Sequence, residues 1–256
     1  MTGAAADLHL HSHYSDGSFP PAEVVRRAAA AGLAAIALTD HDTVEGLPEF
    51  LAAAAGAGLH AIPGVELSVD EGDREIHLLG YLIRWEDPAL LAALARFAAE
   101  RRVRAAAILS RLRPHVAAAL VEAGKVGSVQ EAFDRYLGRG KPAYVPRTGF
   151  TAAEAIALVW AAGGIPVLAH PVRSGVLDEV PRLAREGLRG LEAYHPAQGL
   201  ADTLAVCRSA EAHGLLLTGG SDWHAEATAA ASLGSVRLPW EHVQRLYAAA
   251  GQPPPA

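Results

Sequence analysis

Four side chains able to bind a metal ion, His9, His11, His13 and Asp16, fall within the stretch DLHLHSHYSDG, residues 7–17. In an extended strand alternate side chains share a face. His9 and His11 then point together, while Leu8 and Leu10 point the other way into a core. Two imidazoles at i and i+2 make half of a metal site. One such pair could equally sit on an exposed strand, so its meaning depends on what the other strands carry.

The remaining candidates are Asp40 and His41 in TDHDTVEG, Glu66 in GVE, His77 in IHLLGY, His170 in LAHP, Tyr194 and His195 in AYHP, and Asp222 and His224 in SDWH. The donors are imidazole and carboxylate without thiolate, which excludes a structural cysteine zinc site and favours manganese, zinc or iron over calcium. Six histidines (His9, His11, His41, His77, His170, His224) and three carboxylates (Asp16, Glu66, Asp222) are too many for one ion. They suit three divalent ions, with Glu66 bridging two. Three such ions against three carboxylates leave roughly +3 at the site. That charge attracts phosphate, and the ions make hydroxide near neutral pH by lowering the pKa of bound water.

These residues have to be delivered by short strands. The apolar runs at 34–39, HAIPGVE, REIHLLGYLI, IPVLA, LRGLEAY and LLLTGG follow the opening strand, and most are separated by Ala-rich segments of helical spacing. Gly32 reads as the stop of the first helix, from about Glu23 to Ala31. Seven core strands alternating with helices imply parallel pairing, although strands three and four are joined by only a short turn. Nearly every strand delivers its candidate at its C-terminal end, His77 being the exception. A barrel places chemistry on that rim; an open doubly wound sheet, with its site in one crevice, is the alternative. GSVRLPWEHVQRLYAAAG reads as a further strand and a closing helix.

The chain has 256 residues, 51% hydrophobic and 20% charged, as in an ordinary globular protein. No 18-residue apolar run or leader pattern is present, and the one cysteine, Cys207, leaves a reducing cytoplasm as the expected location. The net charge of −6 is unevenly spread: residues 96–147 hold 11 Lys or Arg against 4 Asp or Glu. An acidic body with one basic segment suits a small or end-bound anionic substrate better than long duplex DNA. The expected organisation is a barrel from 1–95 and 150–256, with residues 96–149 inserted as a basic helical lobe and loop.

With DLHLHSHYSDG, TDHDTVEG, GVE, the IHLLGY histidine, LAHP and SDWH in order, the chain resembles the PHP (polymerase and histidinol phosphatase) phosphoesterases. Within that family it is most similar to the subgroup with an inserted helical lobe, whose members act as nucleoside 3′,5′-bisphosphate phosphatases and as 5′→3′ exonucleases on short RNA. The resemblance implies an α/β fold, a distorted (β/α)7 barrel. It also implies ligand sets: His9, His11, Glu66 and Asp222 for a first ion; Glu66, His77 and His170 for a second; Asp16, His41 and His224 for a third.

His195 ends a strand before a proline, as His170 does. The resemblance favours His170 as the ligand, leaving His195 as phosphate contact or general acid. Lys141 and Arg147, in the loop GRGKPAYVPRTG, and Arg173 are candidate phosphate clamps, since arginine recognises phosphate with paired donors. His13 is a further substrate-side candidate, and Asp40 is expected to orient a ligand. His60, His115, His213 and His242 read as surface or packing residues. The glycines of GLLLTGG read as a turn. The expected activity is metal-dependent hydrolysis of nucleotide phosphate esters, with Glu66, Asp222 and His195 at the reacting centre. A small non-nucleotide substrate such as histidinol phosphate is the alternative, and a non-catalytic metal- or nucleic-acid-binding module is a third reading.

Overall fold

The computed structural model describes residues 4–71, 74–103, 135, 150–225 and 232–254. Eight strands form one sheet: β1 (Ala5–Leu10), β2 (Ala35–Leu38), β3 (His60–Glu71), β4 (Arg74–Tyr81), β5 (Ile165–Leu168), β6 (Gly190–Tyr194), β7 (Leu216–Gly219) and β8 (Leu238–Pro239). The helices described beside it are α1 (Pro21–Ala30), α2 (Leu47–Ala57), α3 (88–103), α4 (Ala152–Ala161), α5 (Val180–Arg185), α6 (Leu200–His213) and α7 (Trp240–Ala249). Local chemistry sets several ends. Thr151 and Glu154 cap α4 reciprocally, and α1 gives way to Gly32 at φ +68°, a left-handed position that glycine takes without strain.

The strands lie in the order β7-β6-β5-β4-β3-β2-β1-β8. β1, β2 and β3 pair in parallel, as do β5, β6 and β7, so the expected parallel pairing holds within each group. β4 runs antiparallel to both neighbours, because two residues between β3 and β4 allow only a hairpin. The reversal explains why His77 lies inside its strand: the rim where the other strands end is where β4 begins. β8 pairs antiparallel with β1.

The sheet closes into a nearly complete barrel along a seam. β7 passes into residues 220–223, which lie beside β1: His11 N–H donates to Trp223 O at 3.1 Å, and Ser221 N–H donates to Asp7 Oδ1 at 2.8 Å. A β-carbon on Gly220 would collide with the backbone N and Cβ of His9, and one on Gly219 would meet the Tyr194 carbonyl at 2.7 Å. These glycines are close-approach residues that close the barrel, and the reading of them as a mere turn is corrected.

Ala6, Leu8, Ile62, Leu79, Tyr81 and Val167 belong to one buried cluster together with Val243 and Leu246 of α7. Strand alternation puts Ile62 on the same face of β3 as Glu66, and Tyr81 and Leu79 on the same face of β4 as His77. One wall therefore packs the core at one level and carries ligands at another. β1 needs a further device. Its register against β2 slips between Asp7 and Leu10, an extra residue that shifts the alternation. Leu8 thus joins the core cluster while His9 and His11 both face the site. Leu8 and Leu10 are both fully buried, as expected for DLHLH, but only Leu8 joins that cluster.

The chain divides into two compact units, residues 1–92 with 150–256, and residues 93–149. Among the described residues no helix is long and apolar enough to cross a membrane.

Candidate metal centre

Glu66 stands at the centre of the converging side chains, with no exposure to solvent. Its Oε2 lies 3.0 Å from His9 Nε2, 3.2 Å from His11 Nε2 and 3.3 Å from His41 Nδ1. Its Oε1 lies 2.8 Å from His77 Nδ1 and 3.4 Å from His170 Nε2. Oε2 thus faces His9 and His11 and Oε1 faces His77 and His170, the arrangement of a carboxylate able to bridge two cations, with His41 beside Oε2 as well. Asp222 Oδ1 completes the first set at 3.4 Å from both His9 and His11 Nε2. At the outer edge Asp16 reaches His224 Nε2 at 3.2 Å and His41 Nε2 at 3.7 Å.

Three groups have donor atoms close enough to share an ion: His9, His11, Glu66 and Asp222; His11, Asp16, His41 and His224; and His41, Glu66 and His77. All nine candidate ligands are brought to one centre. His170 is the loosest fit: it faces Glu66 Oε1 but stands outside the compact group that holds His77.

The donors suit a metal better than they suit one another. His11 Nδ1 and Nε2, His41 Nδ1 and Glu66 Oε1 are buried without a hydrogen bond, although Glu66 Oε1 is so close to His77. Lone pairs that converge on shared points, rather than on each other, are what a ligand shell requires. The electrostatics agree. Burial opposes charge on His11, but the neighbouring carboxylates of Asp222 and Glu66, 3.4 and 3.2 Å away, overcome it and raise its pKa to about 9. His9 is raised well above its ordinary value against burial by Glu66, Glu192 and Asp222. Glu66 and Asp222, despite burial, are held well below the carboxylate range by the surrounding imidazoles. For His41 burial wins, and its pKa falls to about 4, leaving a neutral imidazole.

Hydrogen bonds on the outward ring nitrogens sort the histidines. His9 Nδ1 donates to Glu192 Oε1 at 2.9 Å, His170 Nδ1 meets Ser174 Oγ at 3.0 Å, and His224 Nδ1 donates to the Asp222 carbonyl at 2.8 Å. In their neutral forms His9 and His224 therefore present a bare Nε2 to the centre. His195 is opposite: its Nδ1 accepts from Ala197 N–H at 3.1 Å, so the proton of the neutral ring sits on Nε2, facing Asp222 Oδ2 at 3.3 Å. A ring so held offers a proton where the others offer a lone pair.

Supporting contacts fix the loops. Asp40 does not face the centre. It accepts from Ser12 N–H and Ser12 Oγ, both at 2.6 Å, and from Ser15 Oγ at 2.7 Å, holding the loop that carries Asp16. His170 and Asp222 have φ of +27° and +51°, conformations that such residues keep only under external restraint. Asp16, His41, His77, His170, Arg173, Ser174, Asp222 and His224 line a cleft of about 350 Å³. Arg173 spans its mouth and donates to Asp222 Oδ2 at 2.9 Å. His13 is exposed, its ring stacked on Tyr14 at 4.7 Å, and it is not among those lining residues. Lys141 and Arg147 lie outside the described residues.

Two buried carboxylates went unremarked in the sequence. Glu192 lies inside LRGLEAY, and Asp7 opens DLHLH. An acidic residue inside an apolar strand was the available signal, since it must find partners there.

Residues 7–137 match the family model described as PHP domain. The chain is 36% identical over 250 residues, 87% of its length and 88% of the relative's, to a 3′,5′-nucleoside bisphosphate phosphatase of Chromobacterium violaceum. It is 35% identical over 244 residues, 85% of its length and 89% of the relative's, to a 5′-3′ exoribonuclease of Haemophilus influenzae. Among solved structures, a candidate metal-dependent phosphoesterase of Bifidobacterium adolescentis matches with a TM-score of 0.80 at 28% identity, covering 96% of both chains.

Proposed function

This chain belongs to the PHP family of metal-dependent phosphoesterases, and on that footing we propose that it hydrolyses phosphate esters of nucleotides, as a 3′-phosphatase of nucleoside 3′,5′-bisphosphates or in 5′→3′ hydrolysis of short RNA. The observation that carries this reading is the division of four histidines, His9 and His11 against His77 and His170, between the two oxygens of Glu66. The similarity to a bisphosphate phosphatase and an exoribonuclease, each over most of both chains, supports the nucleotide substrate.

The donor set fits three divalent ions, manganese first, with zinc or iron the other metals that nitrogen and oxygen ligands suit. His9, His11, Glu66 and Asp222 would hold the first, Glu66, His77 and His170 the second, and Asp16, His41 and His224 the third. When bound, such ions polarise the phosphoryl group and supply hydroxide near neutral pH. The protein's own groups do the rest. His195, with its proton on Nε2, donates a hydrogen bond to the leaving oxygen and stabilises the charge that develops there. Asp222 divides its work: Oδ1 faces the first ligand set while Oδ2 holds Arg173 and His195 in place. Arg173 presents its remaining donors to a phosphate oxygen across the cleft mouth.

The basic segment, 96–149, is the proposed inserted lobe, with Lys141 and Arg147 holding a second anionic group and His13 a further substrate contact. That part rests on charge: 11 Lys or Arg against 4 Asp or Glu between residues 96 and 147. A reducing cytoplasm suits the single free cysteine, Cys207.

The test is a manganese-supplemented comparison of a nucleoside 3′,5′-bisphosphate, a 5′-phosphorylated oligoribonucleotide and histidinol phosphate. Turnover of one or both nucleotide substrates, with little of the third, is expected. Preference for histidinol phosphate overturns the nucleotide reading and leaves the phosphoesterase intact.

A further inference from the structure

Behind the ligands lies a carboxylate that none of the steps above uses. Glu192, on β6, is fully buried and both of its oxygens are committed. Oε1 accepts from His9 Nδ1 at 2.9 Å, and Oε2 accepts from the backbone N–H of His170 at 2.9 Å. A buried carboxylate is costly to desolvate, so its presence here calls for a role that an apolar residue could not fill. Its two partners belong to different ligand sets.

The consequences differ at the two ends. His9 donates from Nδ1 and so turns Nε2 towards Glu66 Oε2 at 3.0 Å and Asp222 Oδ1 at 3.4 Å. The reverse tautomer would aim a proton at the point where an ion has to sit. His170 adopts φ +27°, which a residue with a β-carbon keeps only when held. The bond from its N–H to Glu192 is one of the restraints that hold it, and this backbone turn directs Nε2 to Glu66 Oε1.

We infer that Glu192 is a positioning residue for the reaction: one oxygen fixes the tautomer of His9 and the other the backbone of His170, aligning ligands of two ions at once, a role that rests on reading these histidines as ligands. The chemistry distinguishes it from a residue that merely fills space. Glutamine has the same shape but one acceptor oxygen and an NH2 that only donates. The His170 N–H cannot reverse its polarity and takes the oxygen. The NH2 then faces His9 Nδ1, which can accept only if the ring moves its proton to Nε2, into the ion's place. Aspartate keeps both acceptors with a reach one methylene shorter.

The experiment is imidazole ¹⁵N NMR of the protein loaded with zinc, with zinc titration of the same samples. In the unaltered protein His9 should show a slowly exchanging Nδ1–H and a metal-shifted Nε2; a metal-bound Nδ1 overturns the proposal without any variant. In Glu192→Gln the Nδ1–H signal should disappear and the tightest zinc site weaken about tenfold or more, the usual scale for groups that orient a ligand. Glu192→Asp should retain the Nδ1–H. A Glu192→Gln protein with both the Nδ1–H and zinc affinity unchanged shows that Glu192 only fills space. If the Nδ1–H is lost while every zinc site keeps its affinity, Glu192 does set the tautomer, and it is the reading of His9 as a ligand that fails. Should Glu192→Gln not fold, the unaltered protein and Glu192→Asp decide.

Discussion

The inner and outer ligand groups use the same residue types and differ in their access to water. His9, His11 and Glu66 are fully buried and the Asp222 side chain is 11% exposed. In the outer group the side chains of His41, His224 and Asp16 are 16%, 31% and 56% exposed. Buried charges can neither be screened nor hydrated, so the clustered carboxylates and imidazoles of the inner set favour a bound cation strongly. The outer set can be completed by water. On the proposed assignment, burial rather than ligand identity would distinguish a retained ion from an exchangeable one.

Replacing Glu66, the carboxylate at the heart of the inner group, should have the largest effect. Glu66→Gln should lower turnover by well over about 100-fold, beyond the roughly 10–100-fold typical of groups that only support a ligand. Near-normal turnover with full ion content would show that Glu66 is no bridge. Next comes a direct contrast, read by elemental analysis after desalting. Asp222→Asn should lose an ion that about 1 mM manganese does not restore, whereas Asp16→Asn should lose one that it does, weak binding being overcome by mass action. Equal behaviour would erase the distinction between the groups.

Protons give a smaller effect with a definite sign. His11 in the ion-free protein has its pKa raised to about 9 by Asp222 and Glu66, against the pull of burial. A raised imidazole stabilises the fold fully below its unfolded value of about 6.5 and loses that contribution as pH rises through about 9. The ion-free protein should therefore melt at lower temperature as pH goes from about 6.5 to 9, and manganese binding at pH 7 should release protons, measurable by calorimetry in buffers of different ionisation enthalpy. The carboxylates are depressed, so their contribution is lost only in acid and does not enter this window. The smallest effect should come from Arg173→Ala. Its side chain is 57% exposed, which screens the contact, so KM should rise only about three- to tenfold with little change in ion content.

Much of the centre was legible because metal chemistry restricts residue types. His9, His11, Asp16, His41, Glu66, His77, His170, Asp222 and His224 stand out in the sequence wherever strands are placed, and the structure gathers all nine. The barrel followed from the same alternation. What was hidden depends on geometry that sequence does not encode locally. The slip in β1 between Asp7 and Leu10 follows from pairing with β2. The roles of His170 and His195, both followed by proline, separate only through what bonds to Nδ1: a serine hydroxyl in one, a backbone N–H in the other. Glu192 escaped notice because one acidic residue in an apolar strand carries no spacing rule.

The glycine-tight seam has a consequence for how the molecule folds. Asp7 is bonded to Ser221 and Gly234, partners 214 and 227 positions away, whereas Asp40 ties down Ser12 across only 28. Each doubling of a closed loop adds about 0.6 kcal/mol of lost chain entropy, so the seam is roughly 2 kcal/mol harder to close than the Asp40 contact. Since the first ligand set takes His9 and His11 from one lip and Asp222 from the other, a cation there binds only a chain that has already closed. On the proposed assignment the metal would be a late reward in folding, a latch that slows reopening more than it speeds assembly.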